Sequence, residues 1–278
     1  MNGNKDIFLS IIILNMNEHE DTHKCLDSIH SYVNSEYEII IIDNGSTDDE
    51  LQKLSSSINS FPIDFVKKIN LIKLENNIGV GPGRNHGASK SNGKFLLFID
   101  NDAFFDEKID LSRIFFREKL LDLHGYGQVS FQLTNLDGTR QYNQRRIPSF
   151  FHPFYARLLP QQTVQKYINN VEYRDIIFSK NSLEEVDWSI GAFQIFNKET
   201  FHKLGRFDDT LIYGHEDLEI ALSAKKSNLK NATLNHKKIK HVYKRRQRKI
   251  NSTTIKWLLF FYKIMINHYF LKLYGKFK

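Results

Sequence analysis

A single cysteine, Cys25, among 278 residues excludes any disulfide within the chain and any cysteine-rich zinc site. A reducing compartment is the expected setting. No secretory leader is expected, because the apolar run 7–14 is short, follows Asp6 and has no small-residue cleavage site after it. A membrane-spanning run of about twenty apolar residues is also missing. There is no internal repeat, no P-loop and no dinucleotide fingerprint. No glycine-rich loop with Arg and Lys opens the first strand–helix junction, which disfavours a nucleotidyltransferase. Acidic residues stop at Glu219: the last 59 positions carry 16 Lys plus Arg and no carboxylate side chain. The remainder holds 23 basic against 32 acidic residues, so a body of net charge −9 carries a basic tail. A general nucleic-acid binder would spread its positive charge over the binding face, so no nucleic-acid partner is expected. The division suits a body drawn by one end to an anionic surface.

With 41% apolar and 26% charged residues, the chain has the composition of a folded protein large enough for one sizeable core. Its most informative stretch is 94–102. A continuous apolar run, the pattern of a fully buried strand, ends at Asp100, Asn101 and Asp102. Two carboxylates spaced i, i+2 at the end of a buried strand call for a cation, most simply a divalent metal at the carboxyl edge of an α/β sheet. The plain alternative is a turn, where Asp and Asn are common.

The first hundred residues alternate. Strands are expected over 8–14, 37–43, 69–74 and 94–100. Helices are expected over 18–32, with Leu26 and Ile29 inward, over about 48–58, and over 81–91. This spacing predicts a largely parallel sheet wound with helices. Beyond Asp102 the rhythm breaks. Strands are expected over 126–133, 190–197 and 239–243, and a helix over 217–226. The polar, aromatic stretch 137–181 has no strong period and reads as a binding loop or lid.

Polar residues follow each early strand: Asn15 and Asn17, Asp43 and Asn44, Asn76 and Asn77, and Asp100 to Asp102. In a parallel sheet they converge on one crevice. The glycine-rich run 79–85 offers close backbone approach to a ligand, and Arg84 near a helix start is placed to meet phosphate. The pair Glu216 and Asp217 opens a helix, where the dipole alone favours carboxylates; near a metal, one of them is able to accept a proton from a hydroxyl. His241 is either a surface or structural imidazole or a partner for carboxylates around a transition metal.

The order of these motifs resembles the family 2 glycosyltransferases. It runs Asn-x-Asn, Ile-Asp-Asn-Gly-Ser-Thr-Asp (42–48), the glycine run ending in Arg84-Asn85, Asp-x-Asp (100–102), Glu216-Asp217 and a later His241. The likeness covers about 7–245. It implies an α/β GT-A fold, Rossmann-like with helices on both faces, and inverting transfer from a nucleotide-diphospho-sugar carrying UDP, dTDP or GDP. It also implies residue roles. Asp43 meets the base, and Asp100 the ribose or metal. Asp102 and His241 hold Mn²⁺ or Mg²⁺ against the diphosphate. Leu14, Asn15, Met16, Asn77, Gly79, Arg84 and Asn101 line the donor site, Met16 standing where many relatives have Tyr. Asp217 is the catalytic base, and Glu216, Trp188 and Gly191 shape the acceptor site. The Leu14-Asn15-Met16-Asn17 form is closest to the rhamnosyltransferase-like branch.

On this reading 1–105 is the nucleotide-sugar half, 106–245 the acceptor and catalytic half of the same domain, and 246–278 a basic amphipathic tail. The acceptor is a glycan or lipid-linked glycan of a capsule, O-antigen or lipopolysaccharide. A polyprenyl-phosphate glycosyltransferase and a non-catalytic sugar-nucleotide scaffold are the alternatives. Lys263, Asn267 and His268 interrupt the apolar tail, so an interfacial helix led by the basic cluster 244–249 is expected, at the cytoplasmic membrane face. A helix docked on the protein's own core or a homodimer contact is the other reading.

Overall fold

The computed structural model describes residues 8–117, 125–152, 160–179, 182–212, 214–242 and 252–274. The basic cluster 244–249 and Tyr213 lie outside these ranges. In chain order the first half comprises β1 (Leu9–Asn15), α1 (His19–Tyr32), β2 (Tyr37–Asn44), α2 (Asp48–Asn59), α3 (Ile63–Val66), β3 (Ile69–Leu74), α4 (Val80–Ser89), β4 (Phe95–Asp100) and β5 (Ala103–Phe105). The second half comprises α5 (Leu111–Arg117), β6 (Tyr126–Thr134), β7 (Gln144–Arg145), α6 (Gln161–Val171), β8 (Leu183–Val186), β9 (Trp188–Ser189), β10 (Phe193–Asn197), α7 (Lys198–Lys203), α8 (Glu216–Lys226), β11 (Lys230–His241) and α9 (Ser252–Tyr274).

One nine-stranded sheet runs β3-β2-β1-β4-β10-β6-β11-β5, with β8 paired to β11. The β3-β2-β1-β4 half is parallel, as the alternation predicts, whereas β10 and β5 join antiparallel. Alternation along β1 splits its side chains between two layers. Ile11 and Ile13 pack with Leu26 and Ile29 of α1, while Ile12 packs with Ala88 of α4. Helices therefore cover both faces.

Register aligns the strand ends. Asn15 pairs with Asp43, and Leu14 with Asp100. The polar clusters read at the ends of β1, β2 and β4 thus lie along one edge. Chain direction alone puts them there.

Three elements differ from expectation. The 137–181 stretch is not one irregular loop, because it contains α6, whose Val164, Ile168 and Val171 recur at helical spacing. The strand expected over 239–243 is the end of β11, which begins at Lys230 and breaks register between Leu234 and Ile239. Lysines 237 and 238 mask its pattern in the sequence. The tail forms α9, which docks on the body: Phe261, Ile264 and Met265 are buried against Leu211, Leu218 and Leu222. Lys263, which interrupts the apolar run, donates to Thr210 Oγ1 at 3.2 Å.

Candidate active site

β5 pairs antiparallel with the end of β11, setting Ala103 opposite His241. This places Asp102, one residue beyond the β4 turn, beside the imidazole: Nε2 of His241 lies 3.2 Å from Oδ1 of Asp102. Ligand atoms of Asp100, Asp102 and His241 all lie within 4.8 Å of one another. Two carboxylates and an imidazole are the donor set that suits a divalent ion such as Mn²⁺, so the residues present fit the cation their chemistry implies. Burial opposes a charged His241, but the hydrogen bond to Asp102 and the charges of Asp100 and Asp102 outweigh it, holding its pKa above the usual value.

Gln141 fixes the other side of the ring: its Oε1 meets Nδ1 of His241 at 2.7 Å. If Gln141 Oε1 accepts from Nδ1–H, Nε2 is left to face the carboxylates and a metal. Sequence reading missed Gln141. It stands 100 residues from His241 in a polar stretch with no period, and no local signal marks it.

A cleft of about 590 Å³ opens on this cluster. Leu14, Asn15, Met16, Asn77, Gly79, Asn101 and Gly191 line it together with Asp100, Asp102 and His241. Asn77 accepts from the Gly79 N–H at 2.9 Å and from Asn44 Nδ2 at 3.0 Å, bracing the turn into α4. Gly79 adopts φ +96°, a conformation that a side chain resists.

Two residues expected at the donor site are buried. Asp43 does not line the cleft. It is fully buried, with its oxygens accepting from Asn15 Nδ2 at 2.8 Å and the Ser46 N–H at 3.0 Å. It shapes the wall from behind, and in this structure presents no face to a base. Arg84 is likewise only 3% exposed, so its cation is not offered to phosphate. Its Nη2 donates to Asp100 Oδ1 at 2.6 Å and to the Gly191 carbonyl at 2.9 Å, and Nη1 lies 3.7 Å from Glu216. One buried guanidinium therefore organises three site residues and leaves the second oxygen of Asp100 for a cation.

A second cavity, of about 550 Å³, holds Trp188, Glu216 and Asp217 and meets the first at Gly214. Gly191, expected beside them, lines the first cleft instead. It joins the two all the same, because its N–H donates to Asp217 Oδ2 at 3.1 Å. The Leu218 N–H donates to Asp217 Oδ1 at 2.8 Å. Burial raises the pKa of Asp217 against these bonds, and burial together with the Asp217 charge lifts Glu216 to about 7 despite Arg84. A carboxyl tuned upward at a cavity wall is suited to proton transfer near neutral pH. His215, in front of the pair, has φ +76°, an uncommon value for a non-glycine residue. Phe261 of α9 also lines the cavity, a role that nothing in the tail's composition signals.

A parallel half-sheet ending in Asp-x-Asp, closed by a mixed half that brings a histidine to it, is the GT-A architecture of glycosyltransferases. The solved structure of GalNAc-T7 with UDP, GalNAc and Mn²⁺ superposes at a TM-score of 0.66 over 95% of this chain and 48% of that one, at 18% identity. The chain belongs to glycosyl transferase family 2, whose family model matches residues 10–179. Relatives include the teichoic acid poly(glycerol phosphate) polymerase of Staphylococcus epidermidis, 27% identical over 65% of this chain and 25% of its own length. Glycosyltransferase AglE of Haloferax volcanii is 35% identical over 61% of this chain and 54% of its own. The matches thus span a quarter to about half of these relatives.

Proposed function

We propose that the chain transfers a hexosyl or deoxyhexosyl group, with inversion, from a nucleotide-diphospho-sugar to a hydroxyl of a glycan or lipid-linked glycan acceptor. The observation that carries this reading is the junction of the two cavities. The residue that lines the cleft of Asp102 and His241, Gly191, donates its N–H to the carboxylate of the neighbouring cavity, Asp217. A sugar bound across that junction has the diphosphate on one side and the incoming hydroxyl on the other, the arrangement in-line displacement requires.

Asp102, His241 and the free oxygen of Asp100 would hold a divalent cation, Mn²⁺ or Mg²⁺, which when bound neutralises charge growing on the departing diphosphate. Asp217 accepts the acceptor proton at a carboxylate oxygen, its position set by two backbone N–H groups. Glu216 and Trp188 line the same cavity and orient the acceptor. Asn77, Gly79 and Met16 bound the donor end. The size of the Asp217 cavity favours this reading over a polyprenyl-phosphate transferase, and the assembled Asp102–His241–Asp217 set favours it over an inert scaffold.

No helix among the described residues is long and apolar enough to cross a membrane. Ile255, Leu259 and Ile266 of α9 are more than half exposed, which supports peripheral contact with the cytoplasmic membrane face, where capsule, O-antigen or lipopolysaccharide acceptors are built. The test is release of nucleoside diphosphate from a panel of UDP-, dTDP- and GDP-sugars, with Mn²⁺ and with EDTA, in wild type and Asp217→Ala. Metal-dependent turnover that the substitution abolishes is expected. Turnover indifferent to both EDTA and Asp217→Ala would overturn the assignment.

A further inference from the structure

A third groove, of about 440 Å³, shares Arg145, Glu172 and Arg174 with the Asp217 cavity. Arg140, Gln141 and Tyr142 also line it, and Ile190 connects it to the cleft of Asp100 and Asp102. Its charged lining residues are three arginines and one carboxylate, a net charge of +2. Glu172 offsets only one of the three positive charges, its carboxylate being shared between Arg145 at 3.3 Å and Arg174 at 2.6 Å.

Among the described residues the Arg140 guanidinium has one hydrogen-bond acceptor, a carbonyl, and no carboxylate. Nη1 donates to Ile176 O at 2.6 Å, while Nε and Nη2 are buried without a hydrogen bond. The Tyr142 and Phe178 rings lie 4.9 and 4.8 Å from its guanidinium, and Arg174 lies 4.6 Å from the Tyr142 ring. Stacking holds these forks in place, so they form a set cationic wall rather than loose surface side chains. Planar guanidinium forks match the oxygens of phosphate and phosphodiester groups.

The Asp217 cavity is different in sign. Glu216 and Asp217 line it and repel an anion, whereas the adjoining groove attracts one. A molecule that offers its hydroxyl to Asp217 and its phosphate to the arginines satisfies both. Granted the acceptor role of the Asp217 cavity, on which this rests, we infer that the acceptor bears phosphate, held in the groove by Arg145 and Arg174, with Arg140, whose Nε and Nη2 are buried, adding to the positive field.

The test is fluorescence anisotropy on the full chain with a labelled glycerol-phosphate hexamer, with labelled maltohexaose as the neutral control. Sedimentation with phosphatidylglycerol vesicles forms a parallel arm. The phosphate hexamer should bind at least about tenfold more tightly than maltohexaose, and Arg145→Gln/Arg174→Gln should weaken it about tenfold or more. Glu172→Gln, which removes the competing carboxylate, should tighten binding several-fold, a gain no misfolded variant produces. Hexamer binding lost in the double variant identifies a soluble phosphodiester chain, and vesicle binding lost there identifies a lipid headgroup; either result supports the phosphate chemistry. Equal binding of hexamer and maltohexaose, or weaker binding in Glu172→Gln, would overturn it. Calorimetry of UDP, dTDP and GDP with Mn²⁺ separates the two readings. Hexamer binding without nucleotide binding in wild type would remove the transfer reading but leave the groove. Nucleotide binding lost in the double variant would assign the arginines to the donor and overturn the inference.

Discussion

The backbone N–H of Gly191 donates to Oδ2 of Asp217 at 3.1 Å, and the carbonyl of the same glycine accepts from Arg84 at 2.9 Å. A side chain at this position has no room, because a Cβ would lie 2.5 Å from Arg84 Nη1. Gly191 is therefore held at both its N–H and its carbonyl, and the proposed base is held by the wall of the proposed donor cleft. Asp217→Asn should lower kcat by about 10²–10⁴ while leaving donor KM and nucleotide affinity within a few-fold. Steady-state kinetics with calorimetric nucleotide titration reads both, and an equal loss of nucleotide binding would contradict the division of labour.

Gln141 touches His241 but lines a different groove from the carboxylates. As a positioning residue for His241 it should act first on the cation. Gln141→Leu is expected to raise the Mn²⁺ concentration for half-maximal activity by about 10–100-fold, with near wild-type rate restored at saturating metal. Failure of excess Mn²⁺ to restore the rate would assign Gln141 a structural role instead.

Glu216 is an acid whose folded-state pKa is raised from 4.5 to about 7 by burial and by the Asp217 charge. Below its unfolded pKa the carboxyl is protonated in both states and costs nothing. As pH rises from 4.5 to about 7 the unfolded chain ionises first, so stability falls across that window. Glu216→Gln should therefore raise the melting temperature at about pH 8 by several degrees and change it little at about pH 4. Equal shifts at both values would exclude burial of the charge as the cause.

The helix α9 has two faces with separable effects. Phe261 is 1% exposed in the apolar cluster under the Asp217 cavity, so Phe261→Ala should cost about 3–5 kcal/mol and disturb acceptor turnover. Ile255, Leu259 and Ile266 face outward, and changing all three to Ser should release the protein from anionic vesicles without lowering the melting temperature. Sedimentation with vesicles and thermal unfolding measure the two effects. Unchanged sedimentation would remove the membrane role from this face.

Much of the first hundred residues was legible because the signals there are local. The apolar run 95–99 and the alternation around it place β1 to β4 within a residue or two, and register then aligns Asn15, Asp43 and Asp100 without further information. Orientation of individual side chains was not legible. Arg84 near a helix start and Asp43 at a strand end read as ligand-facing residues, yet both are buried. Ser46, three residues on, is the one nearby partner; Asn15 for Asp43, and Asp100 and Gly191 for Arg84, come from 16 to 107 positions away and make burying a charge tolerable. The strand carrying His241 was only partly visible, because lysines within it break the apolar pattern.

By itself, the amino-acid order determined the winding of the sheet, the Asp-x-Asp at its edge and the carboxylates at a helix start, since each depends on periodicity or spacing within a few residues. Tertiary structure alone decided that His241 lies between Asp102 and Gln141, that Arg84 serves the frame, and that α9 walls the second cavity. Those contacts join residues 16 to about 140 positions apart, and their energies depend on burial, which belongs to the assembled fold and not to any local stretch of chain.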